Sequence, residues 1–153
     1  MKHSVGTQLP EPVAILPEER NILVLNIPVT SSLNPDDALG NAQCCWRISE
    51  SKLRGMDLIL ATVTEYYNNT GYRVVVDAFE PHGRQFETKR VLDQRTGQIK
   101  TAFIGKRVAD AGKRARLVGR RLIFDNRLPS NPIYYLDEEH QERRTPYLQN
   151  KSI

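Results

Sequence analysis

Hydrophobic residues along this chain fall in short dense blocks, not at the three-to-four-residue spacing of amphipathic helices. Residues 21–27, Asn-Ile-Leu-Val-Leu-Asn-Ile, form a compact apolar run stopped by Pro28, the pattern of a buried strand. Residues 58–64 and 72–79 are apolar and rich in β-branched side chains, and Tyr66 to Gly71 between them carries turn chemistry. A hairpin follows, with Gly71 expected to take the positive φ. Residues 86–92 and 98–104 read as a second hairpin joined through Asp93-Gln94-Arg95-Thr96-Gly97. Residues 121–124 and 133–136 read as closing strands around a turn at 126–132.

Helical signals are fewer. Asn34 can cap a helix whose first turn holds Pro35, Asp36 and Asp37, and which runs to about Trp46. Ser49 can cap a further short turn ending at Gly55. Residues 106–118 fit either a helix or an irregular basic loop. The first twenty residues hold Pro10, Pro12 and Pro17 with few packing side chains, so a loose N-terminal arm is expected over 1–20. From Asp137 the chain is polar, and a poorly ordered tail is expected over 137–153. Six or seven short strands with one or two inserted helices predict an α+β fold, a small partly closed β-barrel over residues 21–136.

Composition narrows the class without changing that picture. With 153 residues, 39% of them hydrophobic and 26% charged, the chain can bury one core and is not expected to be disordered. No apolar run approaches the roughly 20 residues that cross a bilayer, and the first residues lack the apolar core of a signal peptide. The two cysteines, Cys44 and Cys45, are adjacent and poorly placed to pair with each other. A reduced, cytoplasmic protein is expected.

Charge changes the picture more. Residues 1–83 hold 6 Lys/Arg and 10 Asp/Glu, a net of −4, whereas residues 84–121 hold 12 and 3, a net of +9. Lys100, Lys106, Arg107, Lys113, Arg114, Arg116, Arg120 and Arg121 fall within 22 residues, opposed only by Asp110. A field so concentrated draws phosphate, and releasing the counterions of a nucleic acid drives binding without reading sequence. Gly105-Lys106-Arg107, Gly112-Lys113-Arg114 and Gly119-Arg120-Arg121 recur at a spacing of seven, and glycine lets backbone approach a phosphate. The alternatives are a solvated face or a surface that docks an acidic protein.

Two groups of segments carry a resemblance. Cys45-Trp46-Arg47-Ile48-Ser49 precedes Leu58-Ile59-Leu60-Ala61, and Phe103-Ile104-Gly105-Lys106 precedes Asn131-Pro132-Ile133-Tyr134-Tyr135. This order resembles the PUA-like superfamily, which includes the ASCH and EVE domains, over residues 21–136. The resemblance implies a pseudobarrel that binds RNA or a modified base. It assigns Trp46 to an aromatic pocket and matches Lys106 and Asn131 to the ends of family motifs. Cys44-Cys45 departs from the glycine–aromatic pair expected before Trp46, and the loop between Tyr66 and Gly71 is longer.

The leading expectation is therefore a non-catalytic nucleic-acid-binding module. The eight cations would grip phosphate, with Trp46 and Asn131 in a base pocket and no cofactor or metal. Two alternatives stay open. A small regulator, of the sort phages and mobile elements encode, could use the same basic face to dock an acidic protein. Asp77 followed by Glu87-Thr88-Lys89 resembles the metal site of PD-(D/E)xK nucleases, where two carboxylates hold a cation and a lysine activates water. The competing role for Glu87 and Lys89 is a plain ion pair on one strand face. His3, His82 and His140 lie far apart and no Cys-x-x-Cys occurs, which gives zinc no ligand set. No membrane partner is expected, and oligomeric state is not readable.

Overall fold

In a computed structural model, residues 8–27, 46–124 and 128–149 are described. The helix expected from Asn34 and the cysteines at 44 and 45 lie outside them. Among the described residues there are seven strands: β1 (Ile22–Asn26), β2 (Leu58–Tyr67), β3 (Thr70–Glu80), β4 (Glu87–Asp93), β5 (Gln98–Ile104), β6 (Lys106–Arg107) and β7 (Ile133–Leu136). Among the same residues three short helices, α1 (Glu50–Arg54), α2 (Ala111–Leu117) and α3 (Gln141–Arg144), join them in an α+β fold. No helix among the described residues is long and apolar enough to cross a membrane.

Five strands form one mixed sheet in the order β6-β3-β2-β1-β7, and β4 and β5 pair only with each other as named strands. The expected barrel is not found. Among the described residues the sheet is open, with β6 and β7 at its edges not paired to each other; β1 and β2 run parallel, while every other named pair is antiparallel. A parallel pair needs a long crossover, and here it also needs cover on both faces. That is why residues 22–25 and 58–61 are apolar without alternation and all fully buried.

The two faces of this sheet carry two separate cores. Leu23, Leu25, Ile59, Ala61 and Phe79 pack with Trp46, Ile48, Leu53, Phe86 and Phe103 on one side. Ile22, Val24, Leu58, Leu60 and Val75 pack with Val13, Ile15, Leu117, Leu122 and Tyr147 on the other. Alternate residues of the same strand thus serve opposite layers.

Of the two segments expected to be loose, the described residues 8–20 and 137–149 contribute side chains to the second layer. Val13 and Ile15 are buried, and Ile15 exchanges backbone hydrogen bonds with Tyr147 and Gln149. Within residues 137–149, Arg144 is 3% exposed because its Nη1 donates to the carbonyls of Glu19, Arg20 and Leu136. Asp137 and Arg144 there are buried polar groups held by hydrogen bonds, while Glu138, Glu139, Gln141 and Glu142 are exposed.

Local signals hold in most places. Ser49 caps α1 by accepting from the Lys52 N–H, and Asp110 caps α2 by accepting from that of Lys113, so residues 106–118 are a short strand followed by a helix. The β2–β3 turn is an exception. Positive φ falls on Asn68 (51°) and Asn69 (64°), two consecutive left-handed residues that twist a two-residue hairpin correctly. Gly71 lies instead within β3, where a side chain would meet Thr64, Tyr66 and Leu128. Of the expected closing strands, 133–136 pairs with β1, while Arg121 contributes isolated bridges to Pro12 and Val74.

A candidate nucleic-acid interface

The basic stretch of the sequence is largely consumed by the fold. Both oxygens of Asp77, 1% exposed, are taken by Arg107 Nε at 2.7 Å and Arg114 Nη1 at 3.1 Å. Glu80 accepts from Lys113 at 3.1 Å. Glu19 accepts both arms of Arg116 at 3.0 Å. Arg120 donates to the carbonyls of Ala115 and Pro12, and Arg121 to that of Pro10. Lys100 donates to Asp93 at 2.7 Å. Lys106 is the exposed member of the set. The acidic first half of the chain thus supplies partners for the basic second half, and segregation in sequence becomes neutralisation in space.

The expected metal site is not assembled. Asp77 is committed to two guanidinium groups in the main sheet. Glu87 and Lys89 are exposed residues of the separate β4–β5 hairpin. Among the described residues no group of three His, Cys, Asp or Glu comes together that could hold a metal.

The expected pocket residues also separate. Trp46 is 8% exposed and belongs to the core; its backbone bridges Thr101 in both directions at 3.0 Å. Asn131 is exposed. Its side-chain oxygen accepts from the N–H of Ile133 and starts β7, while its carbonyl accepts from Arg73. Arg73 itself is 4% exposed, donates to the Pro129 carbonyl and lies 5.7 Å from the centre of the Phe124 ring. Burial pulls its pKa down. Beside it, Tyr66, Tyr72, Arg121 and Phe124 help to line a cavity of about 620 Å³.

A cluster of exposed cations lies on the β4–β5 hairpin and the short segment flanking it. Residues 87–104 hold four Lys/Arg against two Asp/Glu, a net of +2, and Arg47 beside them adds one more. Arg47, Lys89, Arg90 and Arg95 are all exposed. Arg47 donates to the neutral Gln98 at 2.7 Å. The strand register opposes Arg90 to Thr101 and Leu92 to Ile99, so Arg90, Leu92 and Ile99 share one ribbon face while Lys89 and Lys100 lie on the other. A shallow groove of about 470 Å³ runs along the ribbon between Trp46–Ser49 and Arg90, Gln98–Thr101.

The ribbon is firmly rooted. Phe86 and Phe103 meet edge to face at 5.6 Å in the core. Thr101 Oγ1 donates to the Ile48 carbonyl at 2.6 Å. At the far end, Asp93 accepts from Lys100 and from the N–H of Arg95, while its carbonyl accepts from Gly97 N–H. The Lys100 hydrogen bond, acting against burial, holds the Asp93 carboxyl below its ordinary pKa. Gly97 takes φ 72° to close the turn. The sequence showed each of these cations, but nothing in it marked them as the exposed ones.

No family model, curated protein or solved structure matches this chain.

Proposed function

We propose that this chain is a nucleic-acid-binding module whose contact element is the β4–β5 ribbon. The single observation that carries the proposal is the contrast in cation exposure. Seven of the eight cations first picked out by density are partly buried and hold intramolecular partners, whereas Arg47, Lys89, Arg90 and Arg95 are all exposed around one hairpin, with a neutral Gln98 on Arg47 and a 3.6 Å ion pair from Arg95 to Asp93. Phosphate contacts from such a set provide affinity and register without reading sequence. A two-stranded ribbon is also one of the shapes that enters a nucleic-acid groove. The PUA-like resemblance belongs to the same proposal, since that superfamily is associated with nucleic acid. So does a cytoplasmic setting, which rests on Cys44 and Cys45.

Fluorescence anisotropy with labelled DNA and RNA, single- and double-stranded, tests it. Binding is expected to weaken steeply between low and physiological salt. The triple variant Lys89→Glu/Arg90→Glu/Arg95→Glu should abolish it, and Lys106→Glu, in β6 of the main sheet and off the ribbon, should leave it nearly intact. Each lost phosphate contact should lower the salt slope by about one. Binding indifferent to salt, or indifferent to the triple variant, overturns the proposal.

A further inference from the structure

Leu92 and Ile99 are 57% and 55% exposed. They lie directly opposite one another across the ribbon, one residue inward from the Asp93–Gln98 pair that closes the turn. Cross-strand neighbours at that spacing form a single apolar knob. Arg90 lies two residues along the same face, and Arg95 in the turn keeps its side chain 89% exposed while lying 3.6 Å from the Asp93 carboxylate. An aliphatic knob bordered by cations at the end of a stiff basic ribbon is what a polyanion with an apolar interior requires.

Resting on the nucleic-acid proposal, we infer that the ribbon's ligand is duplex DNA, and that Leu92 and Ile99 enter between stacked base pairs from the minor-groove side and kink the helix. Two observations choose the duplex over a single strand. Binding to single strands depends on rings on which bases stack, and the ribbon offers none, for Phe103 is 1% exposed. Beside the ribbon Trp46 is core; Tyr134 and Tyr135, on β7 of the main sheet, are partly buried with Arg143 and Lys52 over their rings. Aliphatic side chains, in contrast, serve as wedges that partly unstack a base step.

Dimensions agree. Three residues per strand lie beyond the Arg90–Thr101 pair that is fastened to Trp46, a tip about 10 Å long, enough to carry the Leu92–Ile99 knob into a groove. The Asp93–Lys100 pair and the rooted base keep the knob from folding back, as a wedge requires. Double-stranded RNA is disfavoured, because its wide shallow groove is read through 2′-hydroxyls and shape.

The test is a bending measurement on a duplex of about 30 base pairs carrying a donor and an acceptor dye at its ends. The full chain should shorten the end-to-end distance by a bend within the roughly 20–90° range of wedge proteins. A central TA step should bind about tenfold better than a stiff A-tract, since flexible steps kink at lower cost. Leu92→Ala/Ile99→Ala should abolish the bend and the TA preference while keeping salt-dependent affinity within about tenfold. Both side chains are solvent-exposed, so the melting temperature should not change, and that measurement guards against misfolding. A straight duplex in the complex overturns the inference, as does equal competition by a single strand. A double alanine variant that still bends DNA also overturns it and leaves the knob as a docking point for an acidic protein. Failure of any nucleic acid to bind is a different result and sinks the parent proposal.

Discussion

Replacing Asp77 by alanine should unfold the protein more easily, not impair a catalytic step. The carboxylate is 1% exposed and holds two arginines from different elements, β6 and α2, besides accepting the N–H of Ala78. Removing one member of a buried ion pair costs about 3–5 kcal/mol when the survivors stay buried. Here Arg107 and Arg114 keep 28% and 34% of their side-chain surface exposed, so each can turn partly to water. We discount the loss to about 2–3 kcal/mol. For a chain of this size that is a fall of about 5–10 °C in melting temperature. Asp77→Asn, which keeps the shape but not the charge, should lose roughly half as much. Thermal melts followed by circular dichroism at fixed protein concentration decide the matter. A shift below about 1 °C refutes the assignment of Asp77 as the buried hub of these cations.

Other consequences are simpler to test. Gly105→Ala should cost about 1–3 kcal/mol in chemical denaturation, because an added Cβ would lie 2.6 Å from the Phe86 ring and 2.8 Å from the Glu80 carbonyl. Asn69→Gly should stabilise by a few tenths of a kcal/mol or about 1 kcal/mol at most, since glycine accepts the positive φ that Asn69 now holds. Burial disfavours ionised Asp137, yet hydrogen bonds from Lys52 and His140 outweigh it and keep the carboxyl below its usual pKa. A depressed carboxyl contributes stability that is complete above the unfolded value of about 3.9 and lost as pH falls through the folded value. Denaturation midpoints measured between neutral pH and about pH 3 should therefore fall less in Asp137→Asn than in the parent protein.

How much of this was legible depended on sequence distance. The β4–β5 hairpin was readable nearly to the residue because Asp93-Gln94-Arg95-Thr96-Gly97 and its flanking alternation are local signals. Ser49 and Gly55 bracketed α1 for the same reason. The parallel pairing of β1 with β2 was not readable, because it sets Ile22 against Leu58 through a crossover with no local mark. The fate of the cations was still less so. Arg116 finds Glu19 across 97 residues, and Arg114 finds Asp77 across 37. Charge density along a chain reports how many cations there are, not which of them the fold will use. The packing of residues 137–149 escaped notice because Arg144 is an arginine, and burial rules assign that residue type to the surface.

The partition of charge has a consequence for assembly from pieces. Residues 82–85, between β3 and β4, are exposed and belong to no strand or helix, which makes them a natural place to cut. A break after Gly83 yields fragments with net charges of −4 and, for residues 84–153 with 16 Lys/Arg and 8 Asp/Glu, +8. The first contributes Glu19, Asp77 and Glu80, and the second the arginines and lysine that seek them. Long-range attraction would steer the two together before any apolar surface met, and salt would slow their rejoining more than it weakened the rejoined product. Such a pair has the properties wanted of a complementation reporter whose switch is ionic strength.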